Sequence, residues 1–156
     1  MSDSADRIRL GMRLNRLSNR LRTAMDQRFM RKYGLTAQQT RTILFLYRKT
    51  HRENVEVNQR DLESFLGLKS PTVTGVLKRL EENGMIKRTV SQKDGRVKIL
   101  KLTRRGTQVH EGLSEQFDFS EKMLMQGFEE AELRTLLGYL DRLEENVHAL
   151  SQAQEQ

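Results

Sequence analysis

The sequence predicts a mainly α-helical fold with one small β-hairpin. Only one proline and ten glycines punctuate 156 residues, a composition that favours helix. Apolar residues recur at steps of three and four over long stretches, the period of an amphipathic helix. Residues 86 to 103 break that period and read as two strands around a turn at Gln92 to Gly95, where Asp94-Gly95 is a hairpin signal.

Taken in order, residues 1 to 6 read as a disordered start. Leu10, Leu14, Leu17, Leu21, Met25 and Phe29 then mark one face of a helix over residues 7 to 32. Its opposite face is rich in arginine: Arg7, Arg9, Arg13, Arg16, Arg20 and Arg22. A leucine stripe of this length needs a partner. Gly34 ends the helix, and Thr36 with Gln39 forms a capping box for a second helix reaching about residue 50. Val55 and Val57 read as a brief strand. Asn58 caps a third helix, with Asp61 in its first turn. Gly67 supplies a tight turn. Ser70 is expected as the N-cap of a fourth helix and Pro71 as its first residue. Val73, Val76, Leu77 and Leu80 form the buried side of that helix, and Asn83-Gly84 closes it. Strict alternation fails in the second strand, so which of Val97, Ile99, Leu100 and Leu102 face inward stays open. A long helix follows Thr103, carrying Val109, Leu113, Phe117 and Leu124, and Gly127 breaks it. A last helix from about Glu129 carries Leu133, Leu136, Leu137, Leu140, Leu143 and Val147. The final six residues are polar and expected to fray.

Charge is distributed unevenly. The net charge is +7 with a pI near 10.0, which suits a polyanionic partner. Residues 1 to 57 and 58 to 106 are both basic, with 13 and 12 Lys/Arg against 5 and 5 Asp/Glu, whereas residues 107 to 156 hold 3 against 11. Either both basic segments meet a polyanion, or the basic first helix pairs with the acidic last helices and the middle alone does so. Packing of the leucine stripes favours the second reading. There is no cysteine, which excludes disulfides, thiolate metal sites and thiol redox switches. No apolar run reaches the length of a membrane span and no secretory signal is evident, so a cytoplasmic protein without membrane contact is expected.

The function-bearing segment runs from residue 59 to 103: helix, tight turn, second helix, basic hairpin. That order of parts serves to read double-stranded DNA. With its buried positions removed, the fourth helix shows Ser70, Pro71, Thr72, Thr74, Gly75, Lys78 and Arg79 outside. A helix entering a major groove about 12 Å wide needs small residues in its first turns. Hydroxyls bond phosphates or base edges, and a helix N-terminus offers free N–H groups to phosphate. Gly75 costs roughly 0.8–1 kcal/mol inside a helix. Either it packs closely on a neighbour or it permits close approach to DNA, and its place on the outer face favours DNA. In the hairpin, Lys93, Asp94, Arg96 and Lys98 form a second contact. Arg96 on a narrow ribbon can enter a minor groove, and Asp94 is read as holding Arg96 by a hydrogen bond.

These parts resemble the MarR family of bacterial transcriptional regulators. The matching residues are Leu35-Thr36 with Gln39, the helix from Ser70 to Leu80, Leu80-Glu81 with Gly84, Asp94 with Arg96, and Leu102-Thr103 with Gly106. The resemblance implies a winged helix-turn-helix spanning residues 36 to 106, within a single domain over 1 to 156. It implies dimerisation helices at 7 to 32 and 107 to 150, interleaved in a homodimer. It further implies a repressor on a pseudo-palindromic operator, released by a small effector, often aromatic or phenolic. Many members carry a basic residue where Gly95 stands, so this wing has one fewer positive charge.

Arg16, Arg20, Tyr33 and His51 are candidates for an effector pocket, though each has an ordinary structural or solvated reading. His51, His110 and His148 lack metal-ligand spacing, so no metal and no cofactor are expected. No phosphate loop or catalytic triad pattern points to an enzyme. The alternative is a winged-helix protein-interaction module. It predicts exposed aromatics or leucines on the fourth helix, where threonine, glycine, lysine and arginine stand.

Overall fold

The computed structural model describes residues 9–153. The expected disordered start, Arg7, and residues 154 to 156 of the expected frayed end lie outside the described residues. The order is α1 (Leu10–Tyr33), α2 (Ala37–Tyr47), a π-helical turn (Arg48–Arg52), α3 (Gln59–Leu66), α4 (Ser70–Glu82), β1 (Ile86–Val90), β2 (Lys98–Leu102), α5 (Arg104–Leu124) and α6 (Glu130–Ala153).

Local signals start and stop these helices. Thr36 and Gln39 make the expected reciprocal box: the Thr36 N–H donates to Gln39 Oε1 at 2.9 Å and the Gln39 N–H to Thr36 Oγ1 at 3.3 Å. Asn58 and Asp61 make a second box at the start of α3. Gly67 turns the chain with φ 64°, a left-handed conformation that glycine adopts without Cβ strain. Gly34 and Gly84 close α1 and the α4 turn in the same conformation, and Gly127 interrupts the chain between α5 and α6 at φ 87°.

Several expectations need correction. α2 ends at Tyr47 and continues as a π-helical turn, in which Thr50 Oγ1 donates to the Leu46 carbonyl. Val55 and Val57 form no strand. Val57 is buried and accepts one backbone bond from Leu100 at 2.7 Å, while Val55 stays exposed. Ser70 is the first residue of α4 and Lys69 occupies the N-cap with no side-chain bond, which moves Pro71 one position inward. The Ser70 hydroxyl is engaged by α3 instead. α6 runs to Ala153, so residues 151 to 153 are helical rather than frayed.

Contacts divide the chain into two compact units, one ending at Glu115 and the other beginning at Gln116. The first is built on a core of Phe29, Leu46, Leu62, Leu77, Ile86, Leu100 and Leu113, drawn from every α-helix and strand of that unit. β1 and β2 pair antiparallel with Ile86 opposite Leu102 and Thr89 opposite Ile99. Alternation fails in β2 because Ile99 and Leu100 are both buried, at 2% exposure each. The start of α5 lies against this unit through two glycines. A Cβ at Gly106 would stand 2.0 Å from the Met85 carbonyl oxygen, and one at Gly112 would stand 2.3 Å from the Tyr33 hydroxyl. In the second unit, α6 presents Leu136, Leu137, Tyr139, Leu140, Val147 and Leu150, all exposed. Along α1 the apolar stripe divides: Met25 and Phe29 are buried, while Leu10, Leu14, Leu17 and Leu21 are exposed.

Candidate nucleic-acid interface

α4 buries Val73, Leu77 and Leu80, with Val76 half-buried, and turns Pro71, Thr72, Thr74, Gly75, Lys78 and Arg79 to solvent. No atom outside its own helix backbone and chain neighbours lies within 4 Å of a Cβ built on Gly75, so packing does not demand glycine there. Lys78 stands 3.8 Å from Glu82, but both side chains are more than half exposed and the pairing is weak. Arg79 borders a cleft of about 240 Å³, lined also by Thr36, Gln39, Thr72, Gly75 and Val76. The capped N-terminus of α2 therefore adjoins the outer face of α4, a juxtaposition with no local signal in the sequence.

The start of α4 is tied to α3. Gln59 Nε2 donates to Ser70 Oγ at 3.1 Å, to Thr74 Oγ1 at 3.0 Å and to Glu63 Oε1 at 3.0 Å. Hydrogen bonds from Ser70 first, then Gln59, hold the Glu63 carboxyl below the ordinary carboxylate range. Ser70 is thus committed through its hydroxyl, and its backbone N–H remains as the expected helix-terminal donor.

The hairpin tip is shaped from within and from a distance. Asp94 Oδ1 accepts from the Arg96 backbone N–H at 3.0 Å, so the carboxylate fixes the turn rather than the guanidinium. The turn itself spans Asp94 to Val97, later than expected, with the Val97 N–H donating to the Asp94 carbonyl. Ser91 is buried at the base. Its oxygen accepts from the Lys93 and Asp94 N–H groups at 3.1 and 3.3 Å, and its proton goes to Glu56 Oε2 at 2.5 Å. The Ser91 hydroxyl is the first cause lowering the Glu56 pKa, with Lys93 and Lys101 contributing charge. Lys93, Arg96 and Lys98 remain exposed. Glu56 and Ser91 were not singled out from the sequence, because 35 residues separate them and nothing local links them. Thr103 secures the other end of the hairpin: its hydroxyl donates to the Gly84 carbonyl at 2.6 Å and accepts from the Gly106 N–H at 3.1 Å.

The four candidate pocket residues are not assembled. Arg16 and Arg20 line an open groove along α1, Tyr33 packs at Gly112, and His51 stacks on Tyr47 at 4.5 Å. His110 stacks on Tyr47 as well, at 3.5 Å.

The MarR family profile matches residues 33–97, from the end of α1 through the hairpin tip. A crystal structure of the transcription regulator MarR from Oenococcus oeni PSU-1 is 36% identical, covering 87% of this chain and 98% of that one with a TM-score of 0.60. The chain belongs to the MarR family. A MepR mutant of S. aureus bound to an oligodeoxyribonucleotide is 25% identical, covering 88% of this chain and 97% of that one with a TM-score of 0.66. An uncharacterized HTH-type transcriptional regulator of Bacillus subtilis (strain 168), YdgJ, is 29% identical over 93 residues, which is 60% of this chain and 57% of that relative's length. The family is one of winged helix-turn-helix transcription regulators and not of enzymes. Among the described residues, no helix is long and apolar enough to cross a membrane.

Proposed function

We propose that this MarR-family chain binds duplex DNA as a homodimer on a pseudo-palindromic operator and acts as a repressor released by a small aromatic or phenolic effector. The observation that carries DNA binding is the outer face of α4: threonine, glycine, lysine and arginine, with no exposed aromatic or leucine. A protein-docking surface would be apolar at its centre. Lys78, Arg79, Lys93 and Lys98 provide phosphate attraction, and Arg96 on the wing serves to enter a minor groove. The relative bound to an oligodeoxyribonucleotide supports the same use of the fold.

The homodimer rests on the exposed leucines of α1 and the exposed apolar residues of α6, surfaces too apolar to stay in water. The basic and acidic ends of the sequence pair naturally at such a junction. Recognition helices would then sit about 34–36 Å apart, one turn of DNA. Repression and effector release follow the family resemblance alone.

Selection of bound sequences from random duplex DNA tests the proposal, repeated with a panel of small aromatic acids. An inverted repeat should emerge and one class of acid should release it. No enrichment at low ionic strength removes DNA binding; enrichment that no acid alters removes the effector. A reporter placed behind the selected site should fall when the protein is expressed, and a rise would make it an activator.

A further inference from the structure

Of the three hydroxyl residues on the recognition helix, Ser70, Thr72 and Thr74, α3 reaches the first and the last. Gln59 Nε2 lies within hydrogen-bond distance of both and of Glu63. The carboxamide can face only one way. An ionised carboxylate accepts and cannot donate, so the group turned to Glu63 is the NH₂. Its two protons serve three acceptors, so one is shared, and both hydroxyl oxygens lie within reach of it. The Ser70 hydroxyl also bears on the Glu63 carboxylate, whose pKa it lowers, so it is engaged on the α3 side. Among the described residues no group accepts the Thr74 proton. Nor does Thr74 bond back to the carbonyl four residues earlier, as Thr42 does to Gln38. Thr74 is exposed, on the same face as Gly75, Lys78 and Arg79.

We infer that Gln59 is a positioning residue that turns Thr74 into an outward hydrogen-bond donor reading the major groove, while Ser70 locks α3 to α4. The inference rests on the DNA-binding reading above. A hydroxyl that already accepts one bond is a better donor, because acceptance and donation reinforce each other, and its exposed proton is free to leave solvent for a base edge. In the major groove, guanine N7 and O6, adenine N7 and thymine O4 accept; cytosine offers only its N4 donor. Thr74 therefore disfavours a cytosine edge at the base it meets.

Selection from random duplexes and titration of the best site test this for the full chain and for Gln59→Ala, Thr74→Val, Thr74→Ser and the Gln59→Ala/Thr74→Val pair. The unaltered protein should exclude cytosine at one position in each half-site. Gln59→Ala and Thr74→Val should each relax that exclusion and weaken the best site about three- to tenfold. The double variant should be no weaker than Thr74→Val, and Thr74→Ser should keep the exclusion. Gln59→Met, which retains length without donors, should match Gln59→Ala and guards against a folding artefact. Losses that multiply in the double variant, or intact cytosine exclusion in Gln59→Ala, overturn the inference while DNA binding stands. If the unaltered protein enriches nothing, the DNA-binding reading has failed and this one with it.

Discussion

Two glycines show how differently one residue type can be used. Gly75 faces open space in a helix, whereas Gly106 lies against a backbone carbonyl. Gly75→Ala should raise stability by roughly 0.8–1 kcal/mol through helix propensity, yet weaken DNA binding if the groove comes close. Gly106→Ala forces a Cβ into the Met85 carbonyl and should cost about 1–3 kcal/mol or more. Denaturant melts of the two variants, with a DNA titration for the first, check both. His110 gives a pH prediction. Its Nδ1 is buried without a partner, and burial first, then Arg52 and His51, lower its pKa below the ordinary 6.5; Glu111 opposes them. A depressed histidine leaves the unfolded chain holding more protons, so stability is full above the ordinary value and falls as pH drops through it. The Tm should decline from about pH 7.5 to 5.5, and less so in His110→Phe, which keeps the ring on Tyr47 and removes the charge. An identical pH slope in that variant would clear His110 of any part.

At the scale of elements, the wing is a short ribbon whose tip is held by Ser91 and Glu56. Arg96→Ala should weaken DNA binding by roughly 1–3 kcal/mol. Ser91→Ala leaves every charge in place but strips the acceptor from the Lys93 and Asp94 amides. It should weaken binding by about 1 kcal/mol and speed hydrogen exchange at those amides. Unchanged exchange there would mean the tip holds its shape without Ser91. The helices themselves were largely readable in the chain: the Thr36–Gln39 box, the Asn58 cap, the Gly67 turn and the Asn83-Gly84 closure act within four residues, though the reciprocal bond from the Asn58 N–H to Asp61 was not foreseen. The Ser70 cap was misplaced because a tertiary partner outcompeted the local one, and the Val55–Val57 strand because a single bond from Leu100 does not make a ladder.

For the whole molecule, the proposed dimer and its salt dependence give two tests. Exposed Leu17 on α1 and Leu137 on α6, at 61% and 58%, are the residues to charge. Leu17→Asp and Leu137→Asp should each yield monomers in sedimentation at micromolar concentration and abolish tight operator binding; dimers that persist in both would relocate the interface. DNA affinity should fall steeply with salt, and Lys93→Ala should lower the slope of log affinity against log salt by about one if it meets a phosphate.

The amino-acid sequence by itself determined the family resemblance, the six α-helices with their hairpin and the cationic, small-residue face of α4, because periodicity, caps and turns act over a few neighbouring residues. Only the tertiary structure decided which groups on that face are free. It engaged the Ser70 and Thr74 oxygens with Gln59 of α3, set the α2 N-terminus beside Arg79 and bound the wing to Glu56. The hydrogen-bonded pairs among these lie 11 to 35 positions apart, and a hydrogen bond across such a span exists only after packing has brought its two ends together.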